Sequence, residues 1–171
     1  MFSIGIIIKA NKNVGTDLQM KHFRGMAMFF IIYLLSDIFW ALGQSGLIPF
    51  NKTLNKVTNA TGLVAVALLT LGWCIFVIYR IDQNKSRNMK KLIRIHYIIA
   101  GIDVIITITS IFTGFYFYID NNDVFKFAEG YNFHIIFTFI QLFGSGIYSF
   151  MQSFSNKQEK SEKNIVYRSF L

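Results

Sequence analysis

A chain of 171 residues that is 53% hydrophobic and 17% aromatic but only 15% charged lacks the roughly 25% charged residues of a soluble domain. A mean hydropathy of +0.44 points the same way, to an integral membrane protein, and the placement of the +8 net charge fits membrane orientation better than nucleic-acid binding. Cys74 is the single cysteine, which excludes an intrachain disulfide and a zinc site made from cysteine alone.

Met1–Ile8 is apolar but about half the length of a span. It lacks the positive n-region and the small-residue cleavage site of a signal peptide, and reads as an interfacial segment or as the remnant of a helix. Lys9–Arg24 carries Lys9, Lys12, Lys21 and Arg24 against Asp17. Gly25–Leu42 is a first full span, broken only by Ser36 and Asp37. Gly43–Ala60, with Gly-Gln-Ser-Gly, Pro49 and three Asn, reads as a polar loop of turns. Thr61–Tyr79 is nineteen residues without a charge, enough at about 1.5 Å per residue to cross a hydrocarbon core of about 30 Å. It shows no polar face, so it reads as the membrane helix around which the chain is organised. Ile95–Thr113 is a third span and contains Asp103. In Gly114–Glu129, two β-prone runs, Phe115–Ile119 and Val124–Phe127, flank Asp120-Asn121-Asn122-Asp123, a hairpin signal. Gly130–Asn156 is a fourth span, longer than a bilayer requires. The tail from Lys157 mixes Lys and Glu and turns apolar again near Leu171. The apolar start and end lead to the expectation of a fragment with further spans beyond both termini. The 19 Phe and the abundant Ile, Lys and Asn, against a single Pro, suggest a low-GC bacterial gene.

Successive connections hold 4, 2, 6, 1 and 4 Lys and Arg. The positive-inside rule therefore puts Lys9–Arg24, Arg80–Arg94 and the tail in the cytoplasm, and the Asn-rich loop and the hairpin outside. The expected fold class is an all-α polytopic membrane protein: four full transmembrane helices, an N-terminal apolar stub and a short extracellular β-hairpin at about 114–129. Residues 1–156 form the membrane region and 157–171 a cytoplasmic tail.

Asp37 and Trp40 share a helix face in the outer half of their span. They read either as a polar contact for a ligand entering from outside or as an interhelical hydrogen bond beside an aromatic-belt tryptophan. Asp103, roughly 13 Å along its span from Arg94, reads as a structural or signal-transmitting hydrogen bond, with a proton or ion path as the alternative. It has no intramembrane Lys or Arg partner, and its depth differs from that of Asp37. His96 and His134 fall near opposite ends of their spans, which sets them apart by most of the membrane thickness and makes each an interfacial histidine. Ser145 and Ser149 form a small-xxx-small pair for close helix packing. Hairpin alternation puts Phe115, Phe117 and Ile119 on one side and Tyr116 and Tyr118 on the other, for packing or for ligand contact. No catalytic constellation, phosphate loop or metal-ligand spacing occurs, so no cofactor is expected.

The order Leu35-Ser36-Asp37-Ile38-Phe39-Trp40-Ala41-Leu42-Gly43, Gly46-Leu47-Ile48-Pro49, Asn55, Asn59, Trp73, Tyr79, Thr113-Gly114 and Phe117-Tyr118-Ile119-Asp120-Asn121-Asn122 resembles the N-terminal membrane sensor region of Firmicutes-type GGDEF diguanylate cyclases and of related seven-helix histidine kinases. The resemblance covers most of Lys21–Gln152. It implies a receptor module coupling an outside signal to a cytoplasmic output such as cyclic di-GMP synthesis; the ligand or signal candidates read from the residues themselves are Asp37, Trp40, Asp103, Tyr116, Tyr118 and Asp120. The Gly-Gly-Asp/Glu-Glu-Phe run and the output domain are absent, so no catalytic residue carries over. Lys126-Phe127-Ala128-Glu129-Gly130 also departs from the basic residue expected beside the glycine. The expected partners are the lipid bilayer, a small ligand from outside and a second copy of the chain, with no nucleic acid. A transporter or channel fragment and a stand-alone small membrane protein acting through helix contacts are the alternative readings.

Overall fold

The computed structural model describes residues 17–81, 87–121 and 123–169, with side chains described over 20–81, 87–121 and 123–154. The apolar stub at residues 1–8 lies outside the described residues. Four helices, α1 (Asp17–Gln44), α2 (Lys52–Ile81), α3 (Arg87–Thr113) and α4 (Tyr131–Ser169), are joined between α3 and α4 by two short strands, β1 (Phe117–Ile119) and β2 (Phe125–Phe127). Each helix contains a stretch of 24 to 30 residues long and apolar enough to cross a membrane.

The central helix is α2, which packs against each of the other three. Ala60, Ala67, Leu71, Cys74 and Ile78 of α2 are buried, and their spacing puts them along one stripe. Small side chains there let the neighbours come close. Where α1 crosses, a Cβ at Gly72 would lie 3.4 Å from the Cβ of Met26. Helix α1 packs mainly along α2, and no residue of its apolar stretch is buried.

Helix α2 starts at Lys52, inside the region whose composition reads as a loop. The reason is local and tertiary together. Asn51 caps the helix, its Oδ1 accepting the Leu54 N–H at 2.8 Å. The polar residues that follow turn inward instead of forming turns: Asn55 Nδ2 donates to the Asp123 carbonyl at 3.0 Å, and Lys56 Nζ to the Ile111 carbonyl at 3.0 Å. At the other end of the chain, the α4 backbone continues without a break past residue 156 to Ser169.

The hairpin pairs Phe117 with Phe127, Tyr118 with Lys126 and Ile119 with Phe125. It is shorter than its composition predicts because Gly114, at φ +70°, ends α3 in the left-handed conformation that favours glycine, its N–H bonded to Ser110 O at 2.9 Å. Phe115 and Tyr116 are consequently not strand residues, and the expected alternation fails there. Tyr116 is fully buried beside Phe117, while Tyr118 is exposed. Tyr116, Phe117 and Ala60 form a core cluster with Leu63, Ile106, Ile111 and Phe125 packed on it, so the hairpin plugs one end of the bundle.

The return into α4 depends on Gly130, where a Cβ would run into the Phe115 carbonyl and ring. Asp103 lies ten residues before the end of α3 and His134 three residues after the start of α4. Their direct contact (2.9 Å) therefore means that α4 begins about 10 Å deeper in the bundle than α3 ends.

Candidate functional site

Asp103 is fully buried and sits at the centre of a three-residue polar cluster. Tyr116 Oη donates to Asp103 Oδ1 at 3.0 Å. His134 Nδ1 lies 3.1 Å from Oδ1 and 2.9 Å from Oδ2, a hydrogen bond that a neutral or a charged ring can both make. Three elements converge here: α3 supplies the carboxylate, the segment after Gly114 the phenol, and α4 the imidazole. The Tyr116 backbone is fixed as well, its N–H donating to Ser110 Oγ at 3.1 Å. Burial first, and then the adjoining Asp103 carboxylate, hold the Tyr116 phenol above its ordinary pKa, so it remains a neutral donor at physiological pH. The His134 ring stacks on Tyr131, centroids 5.5 Å apart, and meets the Tyr116 ring edge-on at 5.9 Å.

His134 is also part of the wall of a cavity of about 220 Å3 at the hairpin end of the bundle. Asp37 and Trp40 line it from α1, Asn59 from α2, Phe127 from β2, and Tyr131 from α4. The Trp40 Nε1–H is buried and has no acceptor. Asn59 Nδ2 is committed to Asn55, at 2.9 Å from its carbonyl and 2.7 Å from its Oδ1, which leaves Asn59 Oδ1 as an acceptor. With His134 Nδ1 committed to Asp103, Nε2 carries the lone pair of the neutral ring.

The sequence candidates thus divide. Asp37 and Trp40 meet at the cavity, and Tyr116 and Asp103 meet each other behind it. Tyr118 and Asp120 are at neither place. Tyr118 is exposed, and Asp120 shapes the hairpin turn, accepting the Val124 N–H at 3.0 Å and pairing with Lys126 Nζ at 3.0 Å.

The expected separation of the two histidines is corrected. Both are buried within the protein, His134 at 3% and His96 at 2% exposed. His96 lies between α3 and α4, Nδ1 at 2.9 Å from Leu92 O and Nε2 at 3.1 Å from Gln141 O; a neutral ring donates to one of them. Gln141 is seven residues, about 10 Å, along α4 from His134, so the two histidines are separated by two helical turns and not by most of a membrane. Nor is Asp103 isolated, because its partners are a histidine and a tyrosine instead of the Lys or Arg sought in the sequence. Ser145 is buried and bonds its own helix, Oγ to Leu142 O at 3.0 Å, and a Cβ at neighbouring Gly144 would lie 3.6 Å from His96 Cε1, which fits close packing. The Gln141 amide is buried with neither its oxygen nor its nitrogen hydrogen-bonded. Among the described residues no three His, Cys, Asp or Glu side chains converge as metal ligands would.

No family model, curated protein or solved structure matches this chain.

Proposed function

We propose that the chain is a membrane signal-sensing module, a multi-pass protein with its hairpin end outside and its C-terminal end in the cytoplasm. The alternation of Lys and Arg supports the orientation: Arg80, Arg87, Lys90, Lys91 and Arg94 are exposed at the end of the bundle away from the hairpin. The observation that carries the sensing role is that one residue, His134, both lines the cavity and bonds Asp103 in the bundle core. An occupant touching His134 acts on α3 through Asp103 and on α4 directly, which biases two packings of the helices. The output, cyclic di-GMP synthesis or phosphorylation of a regulator, is what the resemblance implies for a cytoplasmic domain. Alkaline phosphatase fused within the hairpin is expected to be active and fused after Phe154 inactive; the reverse pattern inverts the topology.

Coupling is tested by filling the cavity. Gly62 lines it, so Gly62→Leu mimics occupancy. Spin labels at Lys90 and Phe150, both exposed, in a Cys74→Ser background should change separation by about 2 Å or more, the scale of helix shifts in switching proteins. An unchanged separation refutes the coupling. The second reading, a proton-coupled transporter, draws on the same buried carboxylate–imidazole contact. Proton flux into liposomes that is lost in Asp103→Asn would favour it.

A further inference from the structure

The chemistry of the cavity wall is one-sided. Tyr33, Trp40, Phe125, Phe127 and Tyr131 provide five aromatic rings, and Asp37 provides a carboxylate. Among the described residues no Lys or Arg lines the cavity, and no basic side chain is ion-paired with Asp37. The described lysines of the hairpin and of the start of α2 are engaged elsewhere. Lys126 is held by Asp120, Lys56 by the Ile111 carbonyl, and Lys52 Nζ lies 3.4 Å from the Asp120 carbonyl. The one histidine on the wall backs onto Asp103, whose carboxylate offsets any charge on the ring. Tyr131 is stacked on Phe127 and His134, and Phe125 on Phe117, so Tyr33 and Trp40 are the wall rings outside these stacks. Aromatic rings beside a carboxylate favour an ammonium group, because ring quadrupole and carboxylate attract the same charge. The buried Trp40 Nε1–H and the Asn59 Oδ1 add a donor and an acceptor for a polar arm on the same molecule.

Resting on the reading of this cavity as the receiving site, we propose that its ligand is an organic ammonium compound carrying an oxygen substituent. Its cationic head lies against Asp37 and the aromatic wall. The head can come from a soluble amine or from a lipid.

The test uses the full chain with Trp73→Phe, so that Trp40 is the remaining tryptophan, in nanodiscs of phosphatidylglycerol. Choline is expected to change Trp40 emission saturably, and 3,3-dimethylbutanol, its neutral isostere, to bind at least about tenfold more weakly. Asp37→Asn should weaken choline binding by about tenfold or more. If that variant does not fold, the isostere comparison on the unmodified site still decides. Nanodiscs of phosphatidylcholine that lower the apparent choline affinity identify a lipid headgroup as the source, and unchanged affinity identifies a soluble one. Equal binding of the neutral isostere, or no choline binding in phosphatidylglycerol, overturns the proposal. The spin-label distance separates the two readings: choline that binds without moving Lys90 relative to Phe150 sinks the sensor and leaves the ammonium site. Movement driven by the isostere alone does the opposite.

Discussion

Two buried polar centres sit about 10 Å apart between α3 and α4, one around Asp103 and one around His96, and they are built on different principles. At His96 the ring lies between two backbone carbonyls, Leu92 O and Gln141 O, and a neutral ring donates to one of them; both carbonyls belong to helices. At Asp103 three side chains depend on one another, and two of them reach it only because the hairpin folds back. A side chain that leans on backbone can be lost with little left unpaired. Losing the carboxylate leaves a buried N–H and O–H with no acceptor, and that is the costlier event.

The sharpest way to break this contrast is Asp103→Leu, expected to cost about 3 kcal/mol or more because it strands both donors. Thermal unfolding in detergent reads the effect. Next is Gly130→Ala: its Cβ meets the Phe115 carbonyl, and overpacking of that kind costs about 1–3 kcal/mol. The loss should fall with a hairpin-end distance probe as well as with Tm, since α4 can no longer start so deep. Tyr116→Phe removes one hydroxyl and keeps the ring, for about 1–2 kcal/mol. His96→Leu should cost about 1 kcal/mol or less; a loss equal to that of Asp103→Leu would erase the distinction. The smallest effect belongs to Lys126→Ala, at the exposed pair with Asp120, with no measurable change in Tm. The hydrogen bond to Asp120 first, and then its charge, raise the Lys126 pKa. Whatever that pair contributes is therefore present below the ordinary lysine range and disappears as pH rises through the raised value.

The four long helices were legible because their apolar stretches need no partner to declare themselves, and the hairpin because Asp120–Asp123 interrupts two aromatic runs. The start of α2 was not legible: Asn55, Lys56 and Asn59 have loop composition, and the bonds of Asn55 to Asp123 and of Lys56 to Ile111 across the fold add to the local Asn51 cap in placing a helix there. Of the candidate site, Asp37 and Trp40 could be paired from helical spacing alone. The contact of Asp103 with His134 joins residues 31 apart in sequence, and equal helix depths would have kept them apart. Gly130 held the missing signal, since a glycine at that position permits the close approach that drops α4 into register.

Helix α4 runs unbroken from Tyr131 to Ser169, 39 residues or about 58 Å of rod, roughly twice the thickness of a hydrocarbon core. With His134 as the fulcrum, the arm on the far side is about 52 Å long. A tilt of about 5° at the cavity therefore carries Ser169 sideways by about 5 Å. Under the proposed coupling, a rod of this length would act as a lever, turning a displacement too small to open a gap beside Asp103 into one that a neighbouring surface could read.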